Sequence, residues 1–235
     1  MPYLTDLAAF LDDFLKVECF VGDQNGIYRE SDRVVSKIGL ALESFPGLEL
    51  WMEACSLDAL WLHRPWKLPI TPALADVGIL AYHLAFDERL TIGCNPLLAD
   101  ALEMTNVVSF GKKEGRPLGM MGEVEPMPWG MFRQEVSRLF GGEEAVLFQT
   151  NPVVKRVAAV GAMTDSLIKQ AADQGANVYL TGALRKSVQP SASQPLPVFA
   201  VGHRRSEEWG LRTLATVLRQ QWPDLEVAVY TSNDG

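Results

Sequence analysis

The sequence predicts an α/β fold, with a mainly parallel sheet, built as two similar α/β halves whose strand ends face a central cleft. Three observations carry this. Strand-like and helix-like patterns alternate along most of the chain. A strand–helix–strand unit runs from Lys37 to His63, 26 positions, and another from Arg156 to Thr181, 25 positions, which points to an internal repeat. All three histidines, His63, His83 and His203, fall at or near the ends of expected strands, where open α/β sheets bind ligands.

Taken in order, the chain opens with an amphipathic helix, because Leu7, Phe10, Leu11, Phe14 and Leu15 recur at helical spacing behind Thr5 and Asp6. "DQNGIY" reads as a turn, "KIGLALE" as a strand, "PGLELWMEACSL" as a helix and "ALWLHR" as a strand ending near His63. "ILAYHLAF" reads as a short buried strand. "NPLLADALEM" is a helix with Asn95 as its cap and Pro96 at its first position, where a missing N–H costs nothing. "GEVEPMPWGMFRQEVSRLFGG" holds a strand and a helix. The second unit follows as strand "VKRVAAVG", helix "TDSLIKQAADQG" and strand "NVYLTG". A Pro- and Ser-rich loop over 187–197, the strand "VFAVG", a helix from about Glu207 to Gln221 and the strand "LEVAVY" complete the chain. The expected organisation is a single domain with halves at 1–105 and 153–235, joined by a short middle connection over 106–152.

At 235 residues, 48% of them hydrophobic, the chain can bury a large core without staples. Cys19, Cys55 and Cys94 show no C-x-x-C spacing, which fits free thiols in a reducing compartment. Asp6, Asp12 and Asp13 interrupt the N-terminal apolar stretch, so neither signal peptide nor membrane span is read and a cytoplasmic location is expected. A formal net charge of −8 argues against nucleic-acid and anionic-membrane partners, which require surplus Lys and Arg.

Three short motifs carry candidate chemistry. In "GHRRSEEWG", His203 and Glu207 are four apart; they share a face if the helix already includes His203, and otherwise Ser206 is the N-cap with His203 on the loop before it. In "AYHLAFD", His83 and Asp87 have the same spacing, but an extended segment would hold them about 13 Å apart, and only a bend after Phe86 would make them neighbours. "LHRPW" places His63 beside Arg64, whose conformation Pro65 forces toward extension. Trp66 is costly to expose, so this segment is expected to form an ordered rim.

The order of these motifs resembles the NGG-interacting-factor-three (Nif-three-like) family, whose members are labelled type 2 homologues of GTP cyclohydrolase I. Such proteins carry a His-His pair after an early strand, an H-x-x-x-D segment followed by Gly, Asn and a helix, a Thr-Gly-Glu, and a late Gly-His-x-x-(Ser or Thr)-Glu. This chain shows "HRP", "HLAFD" followed by Gly93 and Asn95, "TGALR" and "GHRRSE". The resemblance implies the Nif-three-like fold, assembly into a homo-oligomer, usually a hollow hexamer, and a two-metal site. Carried over residue by residue, it makes His63, Asp87 and Glu207 ligands of one divalent ion (Fe, Mn or Zn) and His203 and Glu207 ligands of a second.

Two positions depart from the pattern. Arg64 replaces the second histidine, and a guanidinium has no lone pair for a metal. Ala183 replaces the glutamate of Thr-Gly-Glu. Either one ion remains, held by His63, Asp87, Glu207 and His203 with Arg64 supplying positive charge, or none binds. A bound metal implies hydrolysis of a small, phosphorylated or nucleotide-like substrate, with His83 as the catalytic base or a substrate contact, and Arg64 and Arg204 as substrate-binding residues. Arg185, Lys186 and Arg205 are further rim charges. The alternative is a non-catalytic metal-binding or scaffold protein.

Overall fold

The computed structural model describes residues 1–69, 71–147, 153–185 and 196–231. Leu4, Leu7, Leu11 and Leu15, spaced three or four apart, are buried along helix α1 (Leu4–Leu15). Beyond it, "NGIYR" forms strand β1 (Asn25–Arg29) where the sequence reads as a turn. Gly26, at φ +96°, takes a conformation that resembles turn chemistry, but pairing with a neighbouring strand prevails. Strand β2 (Lys37–Glu43), helix α2 (Leu48–Cys55) and strand β3 (Ala59–Arg64) follow at the expected places. Strand β4 (Gly78–Tyr82) is shorter than expected, because the chain turns at His83 into helix α3 (Leu84–Leu90).

Helix α4 (Pro96–Ala101) is capped as predicted, the Asn95 side chain accepting from the amides of Leu97 and Leu98. Strands β5 (Thr105–Lys113) and β6 (Arg116–Pro128) form an antiparallel hairpin. Its two-residue loop, Glu114 and Gly115 at φ +51° and +82°, has the backbone that matches strand twist. Helix α5 (Trp129–Phe140), strands β7 (Ala145–Leu147) and β8 (Val153–Val160), helix α6 (Asp165–Asp173) and strands β9 (Val178–Thr181) and β10 (Val198–Ala200) come next. Helix α7 (His203–Gln221) and strand β11 (Glu226–Val229) end the chain. Most of the Pro- and Ser-rich stretch 187–197 and Lys186 lie outside the described residues.

Two compact units result, Met1–Phe86 with Gly210–Gly235, and Asp87–Trp209, the division falling within α3 and near the middle of α7. The first holds a sheet ordered β1-β4-β3-β2-β11, parallel except for β1. The second holds a sheet ordered β5-β6-β8-β9-β10-β7, in which only the neighbouring pairs β8–β9 and β9–β10 are parallel. Both sheets are therefore mixed: β1 adds an antiparallel edge to the first, and the β5–β6 hairpin and β7 add antiparallel strands to the second that the alternating grammar does not contain. No helix among the described residues is long and apolar enough to cross a membrane.

The two strand–helix–strand units are tied by the same device. Asp58, just before β3, accepts from the amides of Ser36 and Lys37 at 2.9 Å each, and its own amide donates to the Lys37 carbonyl at 2.9 Å. Asn177, just before β9, accepts from Lys155 and Arg156 at 3.1 and 2.9 Å, and its amide donates to the Arg156 carbonyl at 2.8 Å. The preceding Ser56 and Gly175 both take positive φ. Burial works to raise the Asp58 pKa, but the Ser36 hydroxyl, the two amides and Arg33 outweigh it and hold the carboxyl below its ordinary range.

Candidate metal centre

His63 and Tyr82 lie at neighbouring ends of β3 and β4, and the His63 ring is fully buried. Its Nδ1 lies 3.0 Å from the Tyr82 carbonyl. A carbonyl only accepts, so Nδ1 carries the proton and Nε2 keeps its lone pair. His83 follows β4 directly and is fixed in the same way, Nδ1 lying 3.0 Å from Asp23 Oδ1. The other Asp23 oxygen accepts the Leu84 amide at 2.6 Å, while the His83 amide donates to the Gln24 carbonyl at 3.0 Å. One carboxylate from a distant segment thus holds the opening of α3 and orients the imidazole beside it.

Because α3 begins at Leu84, Asp87 stands one turn beyond His83 instead of four extended residues away. The turn starts earlier than a bend after Phe86. One ligand atom from each of His63, His83 and Asp87 lies within 4.8 Å of the other two. Ligand atoms around an ion with bonds of about 2.1 Å sit roughly 3–4 Å apart, so a small inward adjustment closes the set. Two imidazoles and a carboxylate suit Zn, Fe or Mn better than the all-oxygen preference of Mg or Ca. Phe86 packs with its ring centre 5.0 Å from His63 and 4.9 Å from Trp61, giving the group an apolar floor on which its electrostatics are strong.

In the second unit, α7 starts at His203 rather than Glu207, so His203 and Glu207 share one face. His203 Nε2 lies 3.0 Å from Glu207 Oε1, with Glu207 buried and His203 largely exposed. Ser206 is inside the helix, its hydroxyl donating to the His203 carbonyl at 2.8 Å. A Cβ on Gly182 would meet the Ser206 hydroxyl at 3.0 Å, so the end of β9 approaches this first turn closely. The next residue is Ala183, which offers no donor atom. Arg204 Nε contacts Glu208 at 3.1 Å, and Arg64 Nε contacts Glu43 at 3.1 Å across the β2–β3 pair.

The residues expected to act thus form a His63, His83 and Asp87 group and a His203 and Glu207 pair. His83 stands among the candidate ligands, a place that its extended reading concealed. Asp23 was not singled out from sequence, since sixty positions separate it from His83. Substituting Asp23 by asparagine is expected to weaken metal affinity about 10- to 100-fold, the usual cost of losing a carboxylate that orients a histidine ligand. Direct metal titration checks this; an affinity within about threefold of wild type would contradict the assigned role.

A family model described as Duf34/NIF3 (NGG1p interacting factor 3) matches residues 67–234. A GTP cyclohydrolase 1 type 2 homolog of Escherichia coli is 29% identical over 86% of this chain and 87% of its own, and one from Archaeoglobus fulgidus is 24% identical over 93% and 94%. Among solved structures, protein ybgI, described as of unknown function, is 24% identical over 100% of both chains with a TM-score of 0.77. A crystal structure from Thermus thermophilus is 21% identical over 100% of both chains with a TM-score of 0.75. The structural likenesses bear on the fold alone, and the family match spans well over half of the sequence. This chain belongs to the Duf34/NIF3 (NGG1p interacting factor 3) family.

Proposed function

We propose that this protein is a metal-dependent hydrolase acting on a small phosphorylated or nucleotide-like molecule, with one divalent ion per site. The observation that carries this reading is the convergence of His63, His83 and Asp87, with both Nδ1 atoms facing acceptors. Glu207 and His203 complete the ligand set by residue-wise carry-over from the family pattern. A bound Fe, Mn or Zn ion supplies Lewis acidity and makes water nucleophilic near neutral pH. The chain's own residues set the rest. Asp23 and the Tyr82 carbonyl keep protons on the Nδ1 atoms, His83 acts as a ligand in place of a base, and Arg64 and Arg204, each steadied through Nε by a carboxylate, bind substrate oxygens. The relatives' cyclohydrolase name supports a nucleotide, and the family pattern supports a hexameric ring.

Elemental analysis of the purified protein, with assays on phosphate monoesters and nucleotides before and after chelation, tests this. About one ion per chain and turnover lost on chelation are expected. Turnover indifferent to chelation would overturn the metal mechanism, and bound metal without turnover on any of these substrates would favour the scaffold reading.

A further inference from the structure

Trp66 is the most exposed of the six tryptophans, at 56%, against 6% or less for Trp61, Trp129 and Trp209. An ordered rim was expected here, but the ring is not buried in it. Trp66 occupies the first middle position of a turn in which the Leu68 amide donates to the Pro65 carbonyl at 3.2 Å. Such positions are filled by Pro, Gly, Asn, Asp or Ser for backbone reasons, so the turn itself does not call for tryptophan. Its ring stands nearly perpendicular to His83, centroids 5.1 Å apart, and His83 in turn lies 5.1 Å from His63. An open π surface therefore adjoins the candidate ligands. Two residues earlier, Arg64 is anchored by Glu43, and Pro65 restrains the backbone between the two.

We infer that Trp66 is a specificity-determining residue that stacks on a planar ring of the substrate, while Arg64 holds an anionic group of the same molecule. The ligand class is a heteroaromatic ring bearing phosphate. The inference rests on the proposed function only in placing the reacting group at the His63, His83 and Asp87 group. Base–aromatic stacking tolerates different bases and is lost on truncation to alanine.

Calorimetric titration of the full chain with guanosine monophosphate and with ribose 5-phosphate, which lacks the ring, tests it. Wild type should bind the nucleotide at least about tenfold more tightly than the sugar phosphate. Trp66→Ala should weaken nucleotide binding about 5- to 100-fold, leave the sugar phosphate unchanged, and leave metal content and elution volume unchanged. Trp66→Phe should retain most of the affinity. Failure of the nucleotide to bind, equal affinity in Trp66→Ala, equal weakening of both probes, or a changed assembly size would each overturn the inference. Trp66-dependent nucleotide binding in a protein that holds no metal would support the ring site while refuting the metal reading.

Discussion

Asparagine in place of Asp87 should leave the purified protein with less than about a tenth of its metal. The substitution keeps the shape of the side chain and the start of α3, where His83 and Leu84 are held by Asp23, so it tests ligation rather than folding. What it removes is the carboxylate of a group whose other two members are imidazoles. Loss of an outer partner alone costs 10- to 100-fold in affinity, so loss of the ligand itself should cost at least about 100-fold. Glu207→Gln should have a similar effect if the buried Glu207 is the further ligand assigned to it. Metal quantification with unchanged circular dichroism is the check. Full metal content in Asp87→Asn would dismiss the group as a metal site, whereas full content only in Glu207→Gln would confine the site to the three clustered residues.

The second large effect concerns stoichiometry. Arg64→His should raise metal content from about one ion per chain toward two, since an imidazole restores a lone pair where a guanidinium has none. The structural cost should be small. The Arg64–Glu43 pair is 23% and 40% exposed at its two side chains, and pairs open to solvent contribute at most about 1 kcal/mol. Elemental analysis under identical loading decides the matter; a ratio that stays at one would show that Arg64 is not what limits the site. The same variant should bind phosphate-bearing ligands less tightly, because the anchored cation is gone.

The sequence made the periodic elements legible and hid the elements that depend on partners far along the chain. β2, β3, α4 and α6 lie where period and caps place them, because their signals are local. β5 escaped notice because eight of its nine residues are at least partly exposed and its loop is Glu-Gly, so neither alternation nor a common hairpin dipeptide marks it. The helical start at Leu84 is fixed by Asp23, sixty-one positions earlier, and no window of sequence around His83 contains that carboxylate. The motif residues themselves were recognisable from their order. Their grouping required the turn at His83, and the exposure of Trp66 required the structure.

The shared tie at Asp58 and Asn177 sets a constant offset of 119 positions between the two units. By that offset Arg64 corresponds to Ala183, the two positions that differ from the ligand pattern implied by the family resemblance. With one more residue inserted, His83 and Asp87 correspond to His203 and Glu207, each pair opening the helix after the third parallel strand of its unit. Each unit thus carries a histidine and a carboxylate one helical turn apart, and a residue with no lone pair for a metal at or just past the end of its second parallel strand.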